Sequence, residues 1–179
     1  ALGAGIPRRK RVSPSKMAAA EDKQQTEAED KPARVAMYGG SADGAEFGIK
    51  VHETWEQILW LDAAGKLPFS APLNDEQAVV HRALQQADVA ALFTHRPGQE
   101  VYNEQAVEAI NDKDEWVSAT IDRLVLTYDA AGQVVAAHII DFKTNKPGPR
   151  DGYDSFESWL LAHYAEQMRS YRQLISDAF

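Results

Sequence analysis

Three residues have the types and the spacing to do chemistry together: Asp122, Asp141 and Lys143. They lie in two stretches, 116–128 and 134–143, that are rich in Val, Ile, Leu and Thr. The segment between them, Asp129-Ala130-Ala131-Gly132-Gln133, is turn-like, so a β-hairpin is expected. Folding it about the Ala131–Gly132 bond leaves Asp122 and Asp141 equally far from the turn and directly opposite each other. Opposed residues have Cβ atoms about 4.5–5.5 Å apart. Lys143 is two residues beyond Asp141 and projects from the same face. The neighbours on that face, Leu124, Leu126, Ala137 and Ile139, are apolar. Two carboxylates facing each other against such a wall repel and lose solvation. A divalent cation with oxygen ligands would neutralise them; a shared proton is the alternative. A lysine beside such a cation can stabilise a phosphate transition state or orient an attacking water. The pattern therefore fits a phosphodiesterase centre. A plainer reading is a surface salt bridge of Asp122 with Arg123 or Lys143, and a register shift of one residue would undo the opposition.

Other elements must hold this hairpin. Phe47, Val51, Trp55, Ile58 and Leu59 recur at helical spacing, which predicts a helix over residues 45–62, ended by Gly65 and Pro68. Asn74 or Asp75 can cap a second helix through about Ala87. Residues 99–110 read as one or two strands around Val101, Val107 and Ile110. Both hairpin strands carry apolar residues on both faces, which predicts central positions in a sheet. A Pro- and Gly-containing loop, 145–155, leads to a last helix over about 156–177, with Leu160, Tyr164, Met168, Tyr171, Leu174 and Ile175 on one stripe. Gln167 interrupts that stripe, and a partly buried amide needs partners. Trp55, Trp60, Trp116 and Trp159 are read as core rather than as stacking platforms, and His81, His95, His138 and His163 as structural.

The chain has 179 residues, enough for one domain and a tail. Its net charge of −8 is unevenly spread. Residues 1–44 hold 8 Lys+Arg and 6 Asp+Glu; residues 45–179 hold 11 and 21. Residues 1–44 have few large apolar residues and read as a flexible linker or tail, closed by Gly39, Gly40 and Gly44. The basic cluster Arg8, Arg9, Lys10, Arg11 could touch phosphate or could be a solvated stretch. An acidic domain taken alone argues against nonspecific nucleic-acid binding, an objection that weakens where carboxylates gather around a cation. With no cysteine there are no disulfides, thiolate nucleophiles or iron–sulfur clusters, which fits a cytoplasmic setting. No apolar run reaches the ~20 residues that span a bilayer, so no membrane is expected. The first residues lack the order of a secretory signal, and Ala rather than Met at position 1 points to a fragment or a processed chain.

The strings Val117-Ser-Ala-Thr-Ile-Asp-Arg-Leu-Val-Leu and Ile139-Ile-Asp-Phe-Lys-Thr-Asn-Lys resemble the RecB-like branch of the PD-(D/E)XK nucleases. Phe47-Gly-Ile-Lys-Val-His-Glu is similar to that family's first-helix block, and Glu166-Gln-Met-Arg-Ser-Tyr to its Q-x-x-x-Y helix. The four blocks occur in order over residues 45–179, which the resemblance marks as the nuclease domain. It implies an α/β fold of the restriction-endonuclease-like kind, a central mixed β-sheet flanked by helices. It also implies hydrolysis of DNA phosphodiesters with Mg²⁺ or Mn²⁺. On the matching positions, His52, Asp122, Asp141 and the carbonyl of Phe142 would bind metal, and Lys143 would position the nucleophilic water. Gln167, Tyr171 and Thr144 would shape the DNA side, with Glu104 in a supporting role. The family often has Gly three residues before its first Asp; Ala119 stands there, where a methyl group could crowd an approaching strand or DNA.

Within that branch the chain looks like the carboxy-terminal nuclease of an AddA- or RecB-type helicase-nuclease. The relatives that carry a four-cysteine iron–sulfur cluster are excluded. There is no Walker A motif, so a helicase motor would lie elsewhere in the parent protein, joined through residues 1–44. The implied partners are a single-stranded DNA end, that motor and a possible second nuclease or helicase subunit, in an exonuclease-type activity serving double-strand-break repair. The competing readings are a non-catalytic DNA-binding or scaffolding module of the same fold, and a small acidic interaction domain without a nucleic-acid role.

Overall fold

Strand β3 (Trp116–Tyr128) is the axis of the molecule. In this computed structural model, which describes residues 10–14, 42–61, 67, 69, 73–110 and 113–179, every strand pairs with it. Strands β2 (Gln99–Ile110) and β4 (Val134–Ile140) run antiparallel on its two sides. The short β1 (Arg11–Val12) pairs parallel with its first two residues, Trp116 and Val117. Helices α1 (Ala42–Glu56), α2 (Asp75–Leu84), α3 (Ala87–Leu92) and α4 (Phe156–Ala178) flank this sheet. The protein is thus mixed α/β, with a three-stranded antiparallel sheet extended by one short parallel pairing. Most of the expected linker, with Gly39, Gly40, Arg8 and Arg9, lies outside the described residues, as do Gly65 and Pro68. Gly44, expected in a hinge, lies within α1.

Local chemistry closes the β3–β4 turn. Asp129 accepts hydrogen bonds from the N–H groups of Ala131 and Gln133 through one carboxylate oxygen, each at 2.9 Å. Gly132 takes the positive φ, 78°, that closes the turn. Pairing then runs from Thr127 opposite Ala136 to Arg123 opposite Ile140, with an irregularity at Tyr128. Continued one step past the end of β4, that register would set Asp122 opposite Asp141, the arrangement expected from folding about Ala131–Gly132. The expectation that both hairpin strands are central holds only for β3. Among the described residues nothing pairs with the outer side of β4, and Val135 there is 61% exposed.

The helices differ from expectation at their ends. The first stops at Glu56 rather than 62, because its last carbonyls are taken by the sheet. Asn103 Nδ2 donates to the Glu56 carbonyl at 2.7 Å, and Arg123 donates to those of Ile58 (2.9 Å) and Leu59 (2.7 Å). Leu59, expected on the buried stripe, is exposed as a result. Helix α2 has its N-cap at Asn74, whose side chain and that of Gln77 satisfy each other's backbone N–H. It ends at Leu84 rather than Ala87: the Gln86 N–H drops back to the Ala83 carbonyl, and Gln86 turns extended to start the unexpected α3. Residues 99–110 form a single strand. Helix α4 starts at a reciprocal Ser155–Ser158 cap and matches its expected span.

Two apolar clusters result. One joins Val117, Ala119, Ile121, Leu124 and Leu126 of β3 to Tyr171, Leu174 and Ile175 of α4. The other joins Val51 and Trp55 of α1 to Val80 and Leu84 of α2, with Ile58, Phe93 and Phe142. Ala119 is buried in the first, so its methyl group packs in the core rather than crowding a DNA-facing surface. No helix of the described residues is long and apolar enough to cross a membrane.

Candidate functional site

The site lies where the two clusters meet. Residues 141–143 alternate as extended chain should. The Phe142 ring stacks on Trp55 with centroids 4.7 Å apart, inside the α1–α2 cluster, while Asp141 and Lys143 reach Gln167 of α4. The Phe142 N–H donates to Asp122 Oδ2 at 2.7 Å. The backbone of residue 142 thereby ties β3 to the chain leaving β4. It enters the site through this N–H, and its carbonyl, the atom expected to ligate metal, has no described role.

Asp122 is the centre of a second group. His52 Nδ1, from α1, lies 3.5 Å from Asp122 Oδ2. Potential ligand atoms of His52, Glu104 and Asp122 all lie within 4.8 Å of one another. Glu104 reaches this position by an unusual backbone. The β2–β3 pairing is regular on either side, Asn103 with Arg123 and Gln105 with Ile121, and is interrupted at Glu104, opposite Asp122. There Glu104 takes a φ of +50°, a sparsely populated region for a residue with a side chain. Such outliers persist where surrounding structure enforces them, and they cluster at functional sites. Glu104 thus stands with the candidate ligands, a stronger position than the supporting one expected.

Asp141 stands apart from that group. Its Oδ2 is ion-paired with Lys143 Nζ, and its Oδ1 accepts from Gln167 Nε2 at 3.2 Å. Gln167 also accepts from Lys143 Nζ (3.3 Å) and donates to the Tyr171 hydroxyl (2.7 Å), which donates to the Thr120 carbonyl at 3.2 Å. The amide that interrupts the α4 stripe therefore meets the sheet, with both its ends satisfied. Gln167 and Tyr171 are each about 1% exposed, so they support the site from beneath rather than offer side chains to DNA. Thr144 lines, with Asp141 and Lys143, a cleft of about 470 Å³ bounded by apolar residues of α1, α2 and α3.

Electrostatics follow from burial. Asp122 is held well above the ordinary carboxylate range, up to about 7. Desolvation is the main cause and repulsion from Asp141 adds to it, against the opposing effects of the Phe142 N–H and Lys143. Asp141 is also raised by desolvation, with Lys143 pulling the other way. The ion pair supplies one positive charge to a site holding three carboxylates, Glu104, Asp122 and Asp141. Two carboxylates offer oxygen ligands of the kind hard divalent cations take and the imidazole a nitrogen of the kind transition ions take, so His52, Glu104 and Asp122 could together hold a divalent cation whose identity the donor set leaves open.

Sequence reasoning missed three contributors. The Lys143 ammonium lies 4.3 Å from the centre of the Tyr164 ring, and the Tyr164 hydroxyl donates to Asn145 Oδ1 at 3.0 Å. Tyr164 shares a helical stripe with Gln167 and Tyr171, a signal that could have linked it to the site. Arg123 and Asn103 clamp the end of α1 that carries His52, and no local pattern points to that pairing. Comparison with protein-family models, with curated proteins and with solved structures found no match to this chain.

Proposed function

We propose that this chain is a divalent-metal-dependent DNA nuclease domain of the restriction-endonuclease-like, RecB-like kind. The observation that carries the reading is the gathering of His52, Glu104 and Asp122 near the Asp141–Lys143 pair, which itself lines a cleft. His52, Glu104 and Asp122 would hold Mg²⁺ or Mn²⁺, with Asp141 and the Phe142 carbonyl near enough in sequence and register to join them. Bound there, the cation would supply Lewis-acid polarisation of a phosphodiester and lower the pKa of a water. Lys143 holds a positive charge where a phosphate would enter, and gains most from the negative charge that develops on it. Gln167 and Tyr171 keep Lys143 and Asp141 in place, and the α1–α2 wall of the cleft excludes water from one side.

The substrate proposed is a single-stranded DNA end, cut in exonuclease fashion, and the parent protein an AddA- or RecB-type helicase-nuclease of double-strand-break repair. A second reading, a DNA-binding or scaffolding module without turnover, is favoured by one observation. Lys143 already neutralises Asp141 without a cation. Incubation of the chain with end-labelled single-stranded DNA in Mg²⁺, Mn²⁺ or EDTA tests the choice. Metal-dependent release of label is expected, and DNA binding without release in either metal would select the scaffold.

A further inference from the structure

The Lys143 ammonium has neighbours of two kinds. Asp141 Oδ2 is ion-paired with it and cancels its charge. Gln167 Oε1, at 3.3 Å, and the Tyr164 ring, whose centre is 4.3 Å away, attract the ammonium and leave its charge in place. The lysine side chain is only 17% exposed, so water replaces a lost partner incompletely. A cation over a ring face gains most when it is desolvated in this way.

Several contacts fix the plane and position of that ring. Tyr164 lies three residues before Gln167 on α4, so both reach the lysine from one face of the helix. Its hydroxyl donates to Asn145 Oδ1 at 3.0 Å, two residues after Lys143. The ring therefore spans the segment that carries the lysine, with the ammonium over its face and Asn145 at its hydroxyl end. His163 at 4.7 Å and Trp159 at 6.3 Å stand nearly perpendicular to it, at 89° and 76°.

Asp141 is a less dependable partner. Both its oxygens are engaged, one by Lys143 and one by Gln167. In the function proposed above, this carboxylate is also the one within reach of the cation. A carboxylate drawn to a cation gives less to an ammonium, whereas a ring face has no such competing claim.

We propose that Tyr164 is a positioning residue for Lys143: its ring holds the ammonium on the cleft wall independently of Asp141. The lysine then keeps its place and its charge when the carboxylate turns elsewhere. The inference rests on the nuclease reading for its use, but its first test needs neither metal nor DNA. The measurement is the carbon–proton NMR correlation of the lysine ε-methylene groups in EDTA, with Lys143→Arg identifying the Lys143 signal by removing it. Protons over a ring face are shielded, so that signal should lie upfield of the other lysines. Tyr164→Phe keeps the ring and should keep the shift. Tyr164→Leu should move the signal to the position of exposed lysines. Asp141→Asn removes the anion and should leave the upfield shift in place.

Loss of the shift in Asp141→Asn would overturn the proposal, because the carboxylate would then be what keeps Lys143 at the ring. An unshifted parent signal, or a shift that survives Tyr164→Leu, would overturn it too. Should Tyr164→Leu fail to fold, the parent and Asp141→Asn spectra still decide. Single-turnover cleavage of single-stranded DNA in Mg²⁺ should be about five- to thirtyfold slower in Tyr164→Leu, with DNA affinity in EDTA close to the parent's. Tyr164→Phe should recover most of that loss. Equal losses in the two variants would make the Asn145 hydrogen bond the effective contact and defeat the role given to the ring. No cleavage by the parent in Mg²⁺ or Mn²⁺ would count against the nuclease reading and leave the NMR result standing.

Discussion

Two neighbouring residues of β3 bury opposite charges and solve the problem in opposite ways. Arg123, fully buried, hands its charge to fixed dipoles and ring faces: the carbonyls of Ile58 and Leu59, the Asn103 side chain (3.3 Å), Phe93 (4.2 Å) and Trp60 (4.9 Å). It ends α1 and fastens it to the sheet. Burial still lowers its pKa, to about 10, but far too little to discharge it at neutral pH. Asp122, one residue earlier, faces His52, Glu104 and Asp141, and burial among carboxylates raises it towards neutrality. The lesson concerns surplus. Around Arg123 both terminal nitrogens have acceptors, Nε has none, and the region is structural. Around Asp122 the acceptors outnumber the cations, and that surplus is what a metal ion would relieve. The two regions also depend on each other, since the Arg123 clamp sets the end of the helix whose middle carries His52.

The largest effect expected from breaking this contrast is on the chemical step. Lys143→Ala should cut the single-turnover rate on DNA by about 10²–10³ while metal and DNA affinity change little. Single-turnover kinetics across a Mg²⁺ titration check it. Full rescue at high Mg²⁺ would reduce Lys143 to a counter-ion of Asp141.

A smaller loss is expected on the structural side. Arg123→Met keeps the bulk and leaves the carbonyls of Ile58 and Leu59 without their donor, at about 1–3 kcal/mol each. Relief from burying a cation offsets part of that, leaving a net destabilisation of about 2–3 kcal/mol. Urea unfolding reads it directly. A variant as stable as the parent would mean that the clamp contributes nothing beyond its apolar contacts.

The smallest effect has the opposite sign. Asp122→Asn should stabilise the metal-free fold at neutral pH, by on the order of 1 kcal/mol. In the folded parent Asp122 keeps its proton up to about pH 7, whereas the unfolded chain releases it in the ordinary carboxylate range. The folded state binds more protons, so the stability due to this group is fully present below about pH 4 and is lost as pH rises through about 7. Melting temperatures in EDTA from pH 4 to 8 should fall more steeply for the parent than for Asp122→Asn. Mg²⁺ should raise the parent at high pH and leave the variant nearly unmoved. Parallel curves would show that repulsion in the site does not govern its stability.

Legibility in the sequence follows range. The α2 cap rests on Asn74 and Gln77, the α4 span on the Ser155 cap and a long apolar stripe, and the hairpin on Asp129 and Gly132. All are contacts within a few residues, where type and spacing suffice. The end of α1 was misread because its donors, Asn103 and Arg123, come from strands distant in sequence. The edge position of β4 was misread because apolar composition on both faces does not report what pairs beyond a strand. Glu104 was undervalued because a positive φ at a glutamate inside a strand has no signature in residue type.

By itself, then, the sequence determined that Asp122 and Asp141 lie on the two arms of one hairpin, with Lys143 two residues beyond Asp141, since the apolar runs and the turn between them are local features. The irregularity at Tyr128 shifts the pairing by one residue between the turn and the rest of the ladder. Only the tertiary structure decided how the charges divide. Gln167 comes from α4 to hold Asp141 and Lys143 together, while α1 and a break in β2 bring His52 and Glu104 to Asp122. Those partners are joined by packing of the two apolar clusters, whose free energy depends on which surfaces meet and not on any local run of residues.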